Sequence, residues 1–123
     1  PLDPVARPHA AERLAQRLGC VVALKGHGTV VSDGARTWTC AHGNDALAVG
    51  GSGDVLAGVV AGLIAQFGRS LGAYDCTRLA VEAHAVAGDR WSARAGGTAG
   101  MLATEIAAGI PEALASMRTL GSP

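Results

Sequence analysis

Gly50-Gly51-Ser52-Gly53-Asp54 runs straight into the apolar segment 55–66, and no other stretch of the chain is so well suited to chemistry. Glycines let a backbone adopt positive φ and bring its N–H groups close to a ligand. A helix opening at Asp54 would add unpaired N–H groups and the positive end of its dipole. Together these make a hole for an anion, either a phosphate or the charge that develops on one in transit. A carboxylate beside such a hole needs its own reason. Asp54 could take a proton from a hydroxyl poised to attack that phosphate. It would also suit a plainer task, as an acidic first-turn residue that stabilises the helix dipole.

Two common phosphate motifs are excluded. No lysine follows the glycines, as a Gly-x-x-x-x-Gly-Lys-Ser/Thr loop requires, and the Gly-x-Gly-x-x-Gly spacing of dinucleotide sites is absent. The chain's only lysine lies instead in Lys25-Gly26-His27-Gly28-Thr29, directly after the apolar run 20–24. Ligands in open α/β sheets bind outside the carboxyl ends of strands, so a lysine flanked by glycines there could meet phosphate or adenosine. The alternative is a strand-to-hairpin turn with a surface lysine, and His27 reads as an exposed turn residue. A third segment, His84-Ala-Val-Ala-Gly88-Asp89, sits late in a second helical pattern. His84 falls one residue off the apolar stripe, which favours a partly buried, hydrogen-bonded histidine over a ligand. Gly88 there would permit close approach of a neighbour, and Asp89 would bond nearby backbone or Arg90.

The elements that must position these residues follow from periodicity. Pro1 to Pro8 reads as irregular, and Pro8 suits the first turn of a helix. Ala11, Leu14, Ala15 and Leu18 form one apolar stripe that Gly19 closes. The unbroken apolar run 20–24 predicts a strand buried on both faces and central in its sheet, as in a parallel sheet covered by helices. Thr29 to Ser32 and Arg36 to Cys40 flank Asp33-Gly34 as a hairpin. The apolar helix 54–66 should pack on the sheet as a buried core helix, too short for the ~20 residues of a membrane span. A connector over 68–74 leads to a helix that Asp75 could cap, with Cys76, Leu79, Ala80, Ala83, Val86 and Ala87 on one face. Thr104 could cap a short helix ending near Gly109, with another from Pro111 to about Met117. The sum is an α/β fold, with a mostly parallel sheet and one β-hairpin, in a single domain over 1–123.

Composition narrows the partners. Ten Lys and Arg balance ten Asp and Glu, leaving no positive excess to neutralise nucleic acid or an anionic membrane, so neither is an expected partner. Cys20, Cys40 and Cys76 are odd in number and scattered, which fits free thiols of a cytoplasmic protein better than disulfides or zinc. The four histidines show no i, i+4 pairing of metal-ligand type, and no signal sequence opens the chain. Glycine is 18 of 123 residues, well above its ~7% share, so many positions are spent on special backbone geometry.

Taken in order, the segments KGHGTVV (25–31), GNDALAVGGSGDVLAGVVAGLIAQ (43–66), HAVAGD (84–89) and LATEIAAGIPEAL (102–114) resemble one family. It is the carboxyl-terminal half of the ADP/ATP-dependent NAD(P)H-hydrate dehydratases, repair enzymes with a ribokinase-like fold. The resemblance spans roughly 14–117, and the Gly-Gly-Ser-Gly-Asp-Val-Leu run is its most specific part. It implies a partial ribokinase-like, three-layer α/β/α domain that is the carboxyl-terminal part of a longer one. Its substrate would be hydrated NADH or NADPH, with ADP or ATP and Mg2+ as cofactors. Phosphorylation of the added hydroxyl and elimination of phosphate would restore the nicotinamide nucleotide.

By the same resemblance Lys25, Gly26, His27, Gly28 and Thr29 contact the AMP portion of the nucleotide. Gly50, Gly51, Ser52 and Gly53 form the anion hole, with Gly53 nearest the nucleotide. Asp54 lies at the reactive hydroxyl as substrate contact and general base. No metal-ligand cluster is apparent. Asp45, Val49 and His27 depart from the residues common in the family, but the Gly-Asp core is intact. The missing half would supply strands and the wall around the substrate, so the fragment alone is expected to be inactive. Unpaired sheet edges favour association, so a homo-oligomer is expected. Two other readings share the residues: a ribokinase-like vitamin or sugar kinase, and a non-catalytic nucleotide-binding or scaffold remnant.

Overall fold

Helix α1 (Ala6–Leu18) opens the described part of the chain, which in this computed structural model is residues 5–120. Residues 1–4 of the expected irregular opening lie outside it, and Pro8 stands in the first helical turn, where a missing N–H costs nothing. Gly19 ends the helix at φ 65°, its N–H returning 2.8 Å to the Ala15 carbonyl. Only Ala11 and Ala15 of the expected stripe are buried, whereas Leu14 and Leu18 are exposed. Alanine's small side chain lets α1 lie close against the sheet.

That sheet has three strands, β1 (Val22–Leu24), β2 (Val30–Ser32) and β3 (Thr37–Thr39), ordered β1-β2-β3. Both pairings are antiparallel, with Val22 opposite Ser32 and Val31 opposite Trp38. Two expectations therefore fail. Among the described residues the sheet is antiparallel rather than mostly parallel, and the 20–24 run gives an edge strand, with Ala23 and Cys20 exposed. The reason is loop length. A parallel pair needs a crossover of about a dozen residues or more, and the short 25–29 link permits only a hairpin. The centre belongs to β2, all of whose residues are buried. The second hairpin forms as expected: Asp33 accepts from the N–H groups of Ala35 and Arg36 at 2.9 and 2.7 Å, fixing the turn.

Helix α2 (Ser52–Ala95) is 44 residues long and broken once, at Gly72, where φ 80° and ψ 162° leave helical space. The expected connector over 68–74 shrinks to that single glycine, since no other residue type adopts such a φ readily. Asp75 consequently lies inside the helix and pairs with Arg78 at 3.7 Å instead of capping. Leu56 and Leu63 of the first half join Val31, Tyr74 and Val81 in the main core, with Trp38 packed against it. Its other side, including Ile64, Phe67 and Leu71, is exposed, so this is a one-faced helix and not the buried core helix expected. By length and composition α2 also qualifies as a candidate membrane span, with mean hydropathy 1.5 over its most apolar window and 11% of that window buried. Val31 and Trp38 face α2, while Val30 on the alternate face meets the α1 side, so α1 and α2 sandwich the sheet.

Helix α3 (Ala103–Leu120) lies along the second half of α2 and continues through Pro111, where two helices were expected. The proline frees only the carbonyl of exposed Ala107, which water can satisfy. Glu105, not Thr104, caps it: its carboxylate accepts the Leu102 N–H at 2.9 Å, as in a capping box. Met101, Ile106, Ile110 and Ala113 close a second core against Ala83 and Ala87.

Candidate functional site

The turn into α2 is built on Gly51, whose φ of 88° only glycine adopts without strain, and its missing side chain leaves room for Ala103. Ser52 N–H bonds the Val49 carbonyl at 3.2 Å and Val55 N–H the Gly51 carbonyl at 3.0 Å. Between them the N–H groups of Gly53 and Asp54 have no partner among the described residues. Two free donors thus stand at the positive end of the helix dipole.

Lys25, directly after β1, completes the arrangement. Its ammonium lies where a side chain on residue 53 would start, so any Cβ there would overlap it. It makes no hydrogen bond or ion pair among the described residues. A cation held against a helix amino end is repelled by the dipole unless an anion sits between them. Lys25 to Thr29 and Ser52 and Gly53 line one cavity of about 400 Å3. Of the expected site residues Gly50, Gly51 and Asp54 are not on its wall. Gly50 and Asp54 are exposed at the turn, and Gly51 shapes it.

The 84–89 segment turns out to be the scaffold beneath this cavity. His84 is buried, and its Nε2 lies 3.0 Å from the Ser52 carbonyl and 3.2 Å from Ser52 Oγ. A carbonyl can only accept, so Nε2 carries the proton. Burial holds the His84 pKa below its ordinary value. The Ser52 bond works against that, and the Lys25 charge adds to it. Ala85 touches Gly43, Ala87 touches Gly109, and Gly88 leaves just enough room for Leu47. Asp89 accepts from Gly43 N–H at 3.0 Å and from Asn44 Nδ2 at 2.9 Å, not from Arg90, which pairs with Glu112. Asn44 Oδ1 in turn accepts from Ala46 N–H and Ser92 Oγ, fixing a 3-10 turn (Asp45–Leu47). His84 supports the glycine turn, Ala85, Gly88 and Asp89 support the opposite lip, and Ala87 packs on α3.

Other wall residues were not foreseen as such. Cys40 is buried, its thiol pushed up mainly by burial, and so presents a neutral surface. His42, paired with Glu82 through Nδ1, and Asp45 stand on the same wall. Nothing in periodicity marks them, because they come from an irregular loop that the sheet and α2 bring together.

Comparison with known proteins points to one family. Residues 4–112 match a family model described as NAD(P)H-hydrate dehydratase. The bifunctional NAD(P)H-hydrate repair enzyme Nnr of Escherichia coli is 44% identical over 109 residues, covering 81% of this chain and 19% of that protein. The ADP-dependent (S)-NAD(P)H-hydrate dehydratase of Cenarchaeum symbiosum is 47% identical over 66 residues, covering 54% of this chain and 23% of that one. A solved ADP/ATP-dependent NAD(P)H-hydrate dehydratase from Bacillus subtilis, co-crystallized with ATP/Mg2+ and soaked with CoA, superposes with a TM-score of 0.76 at 27% identity. It is matched over 89% of this chain and 40% of its own length. The chain therefore spans about a fifth of the curated relatives and two fifths of the solved structure.

Proposed function

Since the chain belongs to the NAD(P)H-hydrate dehydratase family, we propose that it forms the nucleotide-phosphate side of an ADP- or ATP-dependent site that dehydrates hydrated NADH or NADPH. In fold terms it would be part of a ribokinase-like three-layer domain, with the parallel strands supplied by the rest. The observation that carries this reading is the convergence of the unpartnered Lys25 ammonium with the free N–H groups of Gly53 and Asp54 at one cavity.

The cavity suits a phosphate chain on its own chemistry, with a glycine where any side chain would block and a cation without a counter-ion. Among the described residues no group of three or more His, Cys, Asp or Glu gathers to hold a metal. A Mg2+ entering with the nucleotide would therefore keep phosphate oxygens and water as most of its ligands. Bound nucleotide supplies the phosphoryl group. Lys25 and the α2 amino end hold its charge, more strongly as charge builds in the transition state. Asp54, one residue beyond Gly53 and open to an incoming substrate, takes the proton of the added hydroxyl as that oxygen bonds to phosphorus. The logic of the second half is that hydroxide leaves poorly and phosphate leaves well. The carbon–oxygen bond breaks with phosphate as leaving group, a ring proton is lost, and the double bond returns.

The test is the product. With hydrated NADH and ADP or ATP, the intact enzyme carrying this segment should yield NADH, inorganic phosphate and a nucleotide shorter by one phosphoryl. A stable phosphoester instead would assign the site to a kinase of the same fold.

A further inference from the structure

Arg7, in the first turn of α1, belongs to none of the motifs above, yet its guanidinium makes four hydrogen bonds to one loop. Nη1 donates to the His27 and Gly28 carbonyls at 2.6 and 3.2 Å, and Nη2 to the Leu24 and Lys25 carbonyls, both at 3.1 Å. The backbone comes so close that a Cβ on Gly26 would lie 2.8 Å from Nη2. All four Nη hydrogens are thus committed to carbonyls, which leaves them unable to grip a phosphate.

We propose that Arg7 is a positioning residue of the nucleotide site, turning the 24–28 peptides so that their N–H groups and the Lys25 ammonium face the cavity. The inference rests on the nucleotide reading above. Its physics is the trans peptide, in which N–H and C=O point oppositely, and no cis bond is present among the described residues. Drawing the carbonyls of Leu24, Lys25, His27 and Gly28 toward Arg7 sends the N–H groups of Lys25, Gly26, Gly28 and Thr29 the other way. All four of those residues line the cavity, and none of the four N–H groups donates to another group among the described residues. Free donors on the loop thus add to those at the α2 amino end. Only a planar fork reaches four carbonyls at once. Lysine, a point charge on a flexible stem, does not.

Arg7→Lys and Arg7→Ala in the full chain test it, with ADP as the probe in calorimetric titration and amide exchange followed by residue. Both variants should bind ADP roughly tenfold or more weakly, the scale of a misplaced positioning group. Amide exchange should quicken at 25–29 and change little in α3. Added guanidinium ion should restore binding to Arg7→Ala. Unchanged loop exchange in Arg7→Lys, or unchanged ADP affinity, would overturn the inference while leaving the nucleotide reading intact. Absence of ADP binding by the wild-type chain would sink that reading itself.

Discussion

Gly53 and Lys25 share one small space, and each explains the other. A methyl at residue 53 would overlap the ammonium, so Gly53→Ala should displace Lys25 and weaken ADP binding by about tenfold, the energy of one charge-assisted contact. Titration of ADP into the variant checks this, and unchanged affinity would remove Lys25 from the site. His84 carries a pH signature. Its folded pKa lies below the unfolded value because burial disfavours the charged ring, so the unfolded chain binds a proton first as pH falls. The stability from neutral His84 is present above ~6.5 and is lost as pH drops through the lower folded value. Melting temperature should therefore fall on mild acidification, and His84→Gln should flatten that slope.

At the level of elements, the second half of α2 is the beam on which both lips of the cavity rest. Gly88→Ala would drive a methyl into Leu47 and should cost ~1–3 kcal/mol, as overpacking does, read as a lowered denaturant midpoint. The β2–β3 hairpin has its own acid limit. Two backbone N–H groups and the Arg36 side chain hold the Asp33 pKa at about 2, below its ordinary 3.8. Its contribution is thus complete above ~3.9 and disappears as pH falls through about 2. Asp33→Asn should remove that dependence, seen as an unchanged hairpin signal across the same range. Much of this was legible locally. Gly19, the Asp33-Gly34 turn and the glycine entry to α2 each declare themselves by backbone demands that only certain residue types meet. What was not legible depends on partners distant in sequence. The apolar run 20–24 has the composition of a central strand, but strand order is set by pairing, and the antiparallel signal lies in the shortness of the 25–29 link. Pro111 looked like a boundary, yet a freed carbonyl facing water is tolerated. Arg7 is invisible to pattern reading because its four acceptors are backbone atoms.

For the molecule as a whole, the chain spans 40% of the length of the solved dehydratase it resembles, and a site built from one wall can bind without turning over. The 123-residue chain is accordingly expected to hold ADP weakly and to convert hydrated NADH negligibly; full-rate turnover by the purified chain would refute that division of labour. Asp54 stands exposed at the α2 amino end, beside the cavity and not on its wall. The most direct test is Asp54→Asn in the intact enzyme, with turnover and ADP affinity measured on the same preparation. Asparagine keeps size and hydrogen bonding, so a general base should lose ~10²–10⁴ in turnover while ADP binding is retained. A carboxylate that only steadies the helix dipole would instead contribute ~0.3–1 kcal/mol of stability, and near-normal turnover with a lowered melting temperature in the variant would rule out Asp54 as the base.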